Sequence, residues 1–238
     1  MTPALRRLRG LVLHRTPVRE KDRIVEAFTR EEGRVRLFAP GVRHVASRRA
    51  GHLEPLMETR LVVSRSLRGD TIREARVLQT FPRLRERLER LRFAYALARL
   101  LREYTGEGIR DVVLYDVVLR MFAVSDSLRP LPPLLIESAH VQFLKSLGAL
   151  PDLYRCTHCR QPLKAYAFSL RGSHRGFWCT TCRGREDRLL TDVVKVLRVF
   201  LRDPVPPRSL RVPVGVQRRL REIIRTLFRS QALGGRVH

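Results

Sequence analysis

Residues 23–39, RIVEAFTREEGRVRLFA, contain two short runs in which apolar residues alternate with polar ones. This alternation is typical of strands with one buried face. The four residues Arg30-Glu31-Glu32-Gly33 between the runs predict a hairpin turn, with Gly33 where a positive φ is needed. The stretch therefore predicts a pair of antiparallel strands, at residues 23–29 and 34–39.

Similar β-rich runs flank this hairpin on both sides. One lies before it, at residues 10–15, and two follow, at residues 58–64 and 71–77. Five strands within 80 residues suit a small barrel, and the five-stranded OB barrel is one candidate. An SH3-like barrel or a small sandwich would show the same pattern. Residues 40–55 would then form a long basic loop between the third and fourth strands.

The spacing of apolar residues becomes helical from Phe81 onward. A first helix beginning at Pro82 would place five residues on its buried face: Leu84, Leu88, Leu91, Tyr95 and Ala98. A final helix would bury Val216, Leu220, Ile223 and Leu227. The sequence thus predicts an α+β protein, with a barrel domain at 1–80 and a helical domain at 81–238.

The chain is strongly basic. Of its 238 residues, 44% are hydrophobic and 30% are charged, and the formal net charge is +25. Such a charge is costly in self-repulsion unless the protein meets a polyanion, so nucleic acid is the leading partner. The excess lies in two flanks, because residues 1–80 carry +9 and residues 153–238 carry +14, whereas residues 81–152 carry +2.

The sequence contains no uninterrupted run of 18 apolar residues, and its first residues do not resemble a secretory signal. We therefore expect a cytoplasmic protein with no membrane partner, and the expected nucleic-acid partner makes it a nucleoid-associated one.

Two C-x-x-C pairs give the strongest chemical signal. Cys156 and Cys159 form the first pair, Cys179 and Cys182 form the second, and 19 residues separate the pairs. This spacing is typical of two turns that together hold one tetrahedral Zn²⁺. Two disulfides or four unconnected thiols are the alternatives, and a cytoplasmic location disfavours the disulfides.

A shell of four thiolates leaves no coordination position for water, so the predicted zinc would be structural. The predicted zinc module spans residues 153–185 and lies within the helical domain. His158 and His174 are close in sequence, but a complete cysteine set needs neither of them as a ligand.

Arginines of the first 80 residues are the candidate DNA contacts. Arg34 and Arg36 alternate with Val35 and Leu37, which predicts guanidinium groups on the outer face and aliphatic side chains in the core. The full candidate set is Arg15, Arg34, Arg36, Arg43, Arg48 and Arg49.

This segment contains only two aromatic residues, Phe28 and Phe38, and strand aromatics are commonly buried. We therefore expect phosphate contacts without base stacking, and binding that is indifferent to sequence and weakened by salt. A surface that screens phosphate repulsion without capturing bases would help complementary strands to anneal.

The order of several short motifs resembles the RecO family of bacterial recombination mediators, over nearly the whole chain. The opening motif reads Gly10-Leu11-Val12-Leu13, then Pro17, Glu20, Asp22-Arg23, Phe28-Thr29, Gly33, Gly41 and Ser47-Arg48-Arg49. The later motif runs from Leu147-Gly148 through Pro151-Asp152-Leu153 to Cys156.

The resemblance implies an N-terminal OB fold, a helical body, an inserted zinc module and no catalytic activity. It also implies DNA repair through the RecF pathway: binding to single- and double-stranded DNA, strand annealing, contact with the acidic tail of single-strand-binding protein, and work with RecR that lets RecA load. No small-molecule substrate is expected.

Two other functions fit parts of the pattern. A basic OB barrel with a zinc knuckle would also suit an RNA-binding factor in translation or ribosome assembly. A zinc-containing nuclease or nucleotidyl transferase would need clustered carboxylates or a nucleophile with its base. The sequence contains neither a P-loop nor an H-E-x-x-H motif, and its neighbouring acids, Glu31-Glu32 and Glu186-Asp187, lie in a predicted turn and a solvated run.

Overall fold

The computed structural model describes residues 5–18, 20–44, 47, 49–65, 69–164, 167–169, 176–183 and 187–234. Arg48 and His174 lie outside the described residues. The chain divides into two compact units, residues 1–131 and 132–238.

Five strands close into a barrel in the first unit: β1 (Leu5–Pro17), β2 (Arg23–Thr29), β3 (Gly33–Ala39), β4 (Glu58–Ser64) and β5 (Thr71–Gln79). Their order around the barrel is β1-β2-β3-β5-β4. The long β1 closes it, because one half pairs with β4 and the other with β2. A parallel bridge between Phe38 and Thr71 joins β3 to β5. This confirms the OB-like prediction.

Alternate residues of every strand fill the barrel. Val35 and Leu37 are buried, as the alternation predicts. The same core contains Leu8, Val12, Val25, Ala27, Leu61, Val63 and Ile72. Because successive strand side chains point to opposite faces, burial of this set directs the intervening residues outward.

The turn between β2 and β3 requires glycine for two reasons. Gly33 has a φ of +68°, which confirms the predicted positive φ. A Cβ atom at Gly33 would also lie 1.8 Å from the carbonyl oxygen of Ile109. The sequence pattern predicts the first reason, whereas the second depends on a distant segment.

Two helices complete the first unit: α1 (Leu88–Tyr104) and α2 (Val112–Ser127), preceded by a short 3-10 turn at Pro82–Glu86. Leu84 and Ala98 are buried as predicted, but Leu88 and Tyr95 are 63% and 50% exposed. The predicted helix face was therefore wrong at these two positions. The face of α1 that is buried contains Phe93, Leu97 and Leu101, and Leu88 and Tyr95 lie on the other side of the helix.

Both helices contact the outer face of the barrel. The ring of Tyr115 on α2 lies 6.0 Å from the ring of Phe28 on β2. Arg102 on α1 forms a 2.6 Å ion pair with Glu26. Part of the outer barrel surface is therefore covered within the first unit.

Helices α3 (Leu135–Ser146), α5 (Arg188–Arg202) and α6 (Val214–Gly234) form the body of the second unit. Glu137 on α3 accepts a 2.6 Å hydrogen bond from Arg221 on α6. The predicted buried face of α6, Val216, Leu220, Ile223 and Leu227, is confirmed. The cysteine-bearing segment adds the hairpin β6 (Ala167–Ser169) and β7 (Gly176–Trp178), followed by the short α4 (Thr180–Arg183).

The boundary between the compact units follows α2, so α1 and α2 belong with the barrel. The predicted domains at 1–80 and 81–238 follow the change from strands to helices and stay a prediction. Among the described residues, no helix combines the length and apolar character needed to cross a membrane.

Candidate metal centre and nucleic-acid interface

The first cysteine pair lies on a tight turn. The backbone amide of Cys156 donates to the carbonyl of Gln161 at 2.9 Å, and the amide of Arg160 donates to the carbonyl of Cys156 at 3.0 Å. Arg160 adopts a positive φ of 61° to complete the turn. This backbone places Cys156 and Cys159 on the same side of the loop.

The second pair follows the β6–β7 hairpin, with Cys179 just after β7 and Cys182 in α4. Two hydrogen bonds join the second segment to the first: the amide of Thr157 donates to the carbonyl of Phe177 at 2.9 Å, and the amide of Cys179 donates to the sulfur of Cys156 at 3.3 Å. Gly176 permits this approach, because a Cβ atom there would lie 2.1 Å from the hydroxyl oxygen of Thr157.

The four sulfur atoms of Cys156, Cys159, Cys179 and Cys182 lie within 4.8 Å of one another. A tetrahedral Zn²⁺ with Zn–S bonds of about 2.3 Å places its sulfurs about 3.8 Å apart. The distance between the sulfurs of Cys159 and Cys179 is 3.6 Å. The cysteine cluster therefore has the composition and the size of a tetrathiolate metal site.

Backbone amides prepare one of these thiols for metal binding. Burial raises the pKa of Cys156, but hydrogen bonds from the backbone at Cys159, Cys179 and His158 outweigh it and lower the pKa to about 6. Hydrogen bonds with the side chains of Cys179 and Cys159 raise the pKa of Cys182. Four adjacent thiolates repel one another, so full deprotonation calls for a cation at their centre.

His158 lies beside the cysteine cluster, outside its four-sulfur set. Its Nδ1 is 3.5 Å from the sulfur of Cys182, and its ring stacks on Trp178 at a centroid distance of 5.3 Å. Sequence reasoning omitted this contact, since a histidine between two cysteines has no distinguishing pattern. His158 therefore contacts one of the four cysteines without being one of the four candidate ligands.

Three of the predicted DNA-contacting arginines bind protein groups. Both terminal nitrogens of Arg15 lie 2.6 Å from the carboxylate oxygens of Glu54. The Nε of Arg34 donates to the carbonyl of Thr105 at 3.1 Å. Arg49 donates to the carbonyls of Ile72 and Pro40 at 2.9 and 2.7 Å. These contacts give the three side chains structural roles, and their DNA contacts stay a prediction.

Arg36 and Arg43 are exposed, whereas Arg48 is outside the described residues. Phe28 is fully buried, as expected. Phe38 differs, because it is half-buried on the outward face of β3 that also carries Arg36. The structure thus places Arg36, with Phe38 beside it, on one open strand face.

Sequence reasoning missed a second group of exposed arginines on the barrel: Arg7 on β1, Arg60 on β4 and Arg76 on β5. Each occupies an outward position, and the alternation that predicts Arg34 and Arg36 would have identified each of them singly. Their proximity depends on which strands pair and in which register, and the alternation of residues within one strand does not predict either.

Comparison with known proteins agrees with this architecture. The family model for the Recombination protein O N-terminal domain matches residues 1–81, and that for the C-terminal domain matches residues 85–237. The chain belongs to the RecO family. The predicted family resemblance is therefore confirmed, and with it an OB-like N-terminal part followed by a helical part.

Relatives named DNA repair protein RecO match over most of their length. The protein from Pelotomaculum thermopropionicum is 30% identical over 93% of this chain and 85% of its own. Those from Desulforudis audaxviator and Rubrobacter xylanophilus are 28% and 29% identical over 90% and 98% of this chain, and over 87% and 86% of their own. This RecO family member thus matches proteins named for DNA repair over nearly its whole length.

Proposed function

We propose that this RecO family protein is a recombination mediator of the RecF pathway that binds single- and double-stranded DNA and anneals complementary strands. Together with RecR it helps RecA load onto DNA coated with single-strand-binding protein. Its role is non-catalytic: it brings strands and proteins together. Membership of a DNA repair family and the charge of +25 both support DNA as the partner.

The observation that carries the proposal is the outer surface of the barrel, where arginines are exposed, Phe28 is buried and Phe38 is half-buried. Arginine binds phosphate oxygens in a planar two-point geometry, so such a surface holds the backbone. Bases that are not stacked on protein rings stay free to pair. Two strands whose phosphate repulsion is screened in this way meet more readily, which supports annealing.

Gel shifts over a series of salt concentrations test the DNA-binding part of the proposal. We expect the logarithm of affinity to fall with the logarithm of salt concentration, by about 0.7 per contacted phosphate for single strands and about 0.9 for duplex. RNA of matched sequence serves as the comparison. Tighter binding to RNA than to DNA would favour the ribosomal alternative and contradict the proposal.

An annealing assay with fluorescent complementary strands tests the activity. The double substitution Arg36→Glu and Arg43→Glu reverses two exposed barrel charges, and Arg83→Glu with Arg87→Glu reverses two exposed charges outside the barrel strands. We expect the first variant to slow annealing at least several-fold more than the second. Equal rates for both variants and the wild type would contradict an annealing role for this surface.

The cysteine cluster supports one structural Zn²⁺, held by Cys156, Cys159, Cys179 and Cys182. Bound zinc would supply folding free energy, because metal ligands are rarely preformed in an unfolded chain. The protein residues hold the two turns in place through the backbone hydrogen bonds of Thr157 and Cys179. We propose that the metal stabilises the module and takes no part in chemistry.

The proposed protein partners are RecR and the acidic tail of single-strand-binding protein, in the cytoplasm at the nucleoid. The basic composition supports the acidic tail as a ligand. Binding to full-length single-strand-binding protein, and to the same protein without its tail, tests this contact. Equal affinity for the two forms would contradict it, and failure to bind purified RecR would contradict the RecR partnership.

A further inference from the structure

The strand register aligns three arginines across the barrel surface. Arg9 on β1 is the direct partner of Arg60 on β4, and Arg60 is the direct partner of Arg76 on β5. Arg7 lies two residues before Arg9 on the same face of β1, opposite Val62. Neighbouring strands are about 4.8 Å apart, so this arrangement concentrates positive charge on three adjacent strands.

These arginines differ in how far protein groups neutralise them. Arg9 forms a 2.7 Å ion pair with the buried carboxylate of Glu58. The side chains of Arg7, Arg60 and Arg76 are exposed, and none of them forms a hydrogen bond or ion pair with another described residue. Glu74, opposite Val62, is the exposed carboxylate of this face and offsets only part of the charge.

Like charges directly opposite each other destabilise a sheet. Arg60 lies opposite both Arg9 and Arg76, so a polyanion that covers these arginines stabilises the barrel by screening their repulsion. Phosphate oxygens suit this role, because guanidinium groups pair with them in a planar geometry. The arginine face, defined as Arg7, Arg60 and Arg76, is thus a surface for a phosphate backbone.

The composition of the face distinguishes between forms of DNA. Its outward positions on β1, β4 and β5 around the arginines hold Leu5, Val62 and Glu74 and no aromatic ring. Non-specific single-strand sites commonly combine positive charge with rings on which bases stack. Duplex DNA instead presents phosphates on its outside at high linear charge density, which cations spaced along adjacent strands match without stacking.

We propose that the arginine face binds the backbone of double-stranded DNA. The inference rests on the proposed DNA-binding function. It assigns the duplex to the arginine face on β1, β4 and β5, which contains none of the arginines that the sequence predicted as DNA contacts. A mediator that anneals strands forms a duplex as its product, and this face would hold that product by its phosphates alone.

The test compares two triple variants of the full chain. Arg7→Gln, Arg60→Gln and Arg76→Gln neutralise the face, whereas Arg83→Gln, Arg87→Gln and Arg92→Gln remove the same charge from exposed positions around the start of α1. We expect the face variant to lose at least 10-fold in duplex affinity at low salt. The slope of log duplex affinity against log salt concentration should become shallower by about 2.7, which is about 0.9 for each of the three lost phosphate contacts.

Single-strand affinity should fall less than 3-fold in the face variant, and the control variant should change duplex binding less than 3-fold. The melting temperature of the face variant should equal or exceed that of the wild type, since cross-strand repulsion is removed. Unchanged duplex binding, an equal loss in the control, or an equal loss for single strands would overturn the inference. A wild-type protein that binds no DNA would instead overturn the proposed function.

Discussion

The hydroxyl of Tyr115 on α2 donates a 3.0 Å hydrogen bond to the carboxylate of Glu58 on β4. The same carboxylate oxygen accepts from the Nε and Nη2 of Arg9 at 3.2 and 2.7 Å. Glu58 is fully buried and Tyr115 is 2% exposed. Because a buried carboxylate is costly unless paired, α2 contributes to the stability of the barrel through a specific polar contact as well as through packing.

Replacing Tyr115 by phenylalanine should destabilise the protein at pH 7. The change removes one donor from a buried carboxylate and keeps the ring that packs on Phe28. We expect a loss of about 1–3 kcal/mol in the free energy of unfolding. Urea unfolding followed by circular dichroism measures it. An unfolding midpoint equal to that of the wild type would show that the hydrogen bond from Tyr115 to Glu58 adds nothing to stability.

The same tyrosine should make stability depend on alkaline pH. Burial, followed by the charge of Glu58, raises the pKa of Tyr115 well above its ordinary value of 10. The native state therefore keeps this proton after the unfolded state has lost it. The contribution is fully present below pH 10 and declines above it by about 1.4 kcal/mol per pH unit.

The difference in unfolding free energy between the wild type and Tyr115→Phe isolates this effect from other groups that titrate in the same range. We expect the two curves to be parallel below pH 10 and to converge above it. Curves that stay parallel up to pH 11 would show that the hydroxyl titrates normally.

Arg49 should matter for stability, whereas Arg36 should not. The guanidinium of Arg49 ties the loop before β4 to the carbonyls of Pro40 and Ile72, and charged hydrogen bonds of this kind are worth about 1.5–3 kcal/mol. Arg49→Gln should therefore lower the unfolding free energy by about that amount. The exposed Arg36→Gln serves as the control and should change it by less than about 0.5 kcal/mol.

Equal stability of these two variants in urea unfolding would contradict a structural role for Arg49. Binding of duplex and single-stranded DNA by the same two proteins, measured where both are fully folded, separates a lost phosphate contact from a lost fold.

Gly33 and Gly41 form a matched pair of glycines. Their φ angles are +68° and +63°, but a Cβ atom at Gly33 would meet the carbonyl of Ile109, whereas one at Gly41 would meet nothing within 4 Å. Gly41→Ala should lower the free energy of unfolding by about 1–2 kcal/mol, because alanine is strained in the left-handed conformation. Gly33→Ala should lower the free energy of unfolding by about 1–3 kcal/mol more than Gly41→Ala does, because the backbone at Ile109 must move. Equal thermal stability of the two variants would show that the backbone at Ile109 moves away from an alanine at position 33 without a measurable loss of stability.

Zinc content and stability should depend together on the cysteine cluster. The purified wild type should contain one Zn²⁺ per chain by mass spectrometry of the metal, and Cys179→Ser should contain markedly less. Thr181→Ser, an exposed change between two ligands, should retain the metal. Zinc affinity should fall as the pH is lowered, because protons compete for the thiolates. A fully folded, metal-free wild type would contradict the structural role of zinc.

Local patterns predicted much of the barrel. The alternation around Val35 and Leu37 placed both residues in the core, and the glycine in Arg30-Glu31-Glu32-Gly33 has the expected positive φ. The predicted helix face was wrong at Leu88 and Tyr95, because α1 buries the face that contains Phe93, Leu97 and Leu101. Apolar residues lie on both sides of this helix, so their spacing alone does not decide which side packs against the protein.

The two C-x-x-C pairs and the alternating strands were recognisable in the sequence by itself, because each depends on residues a few positions apart. Only the tertiary structure decided which arginines remain available. Arg15 and Arg49 bind protein groups, whereas Arg60 lies between Arg9 and Arg76. Pairing between strands distant in the chain sets these neighbours, and the charge of an arginine is the same whether a carboxylate or solvent faces it.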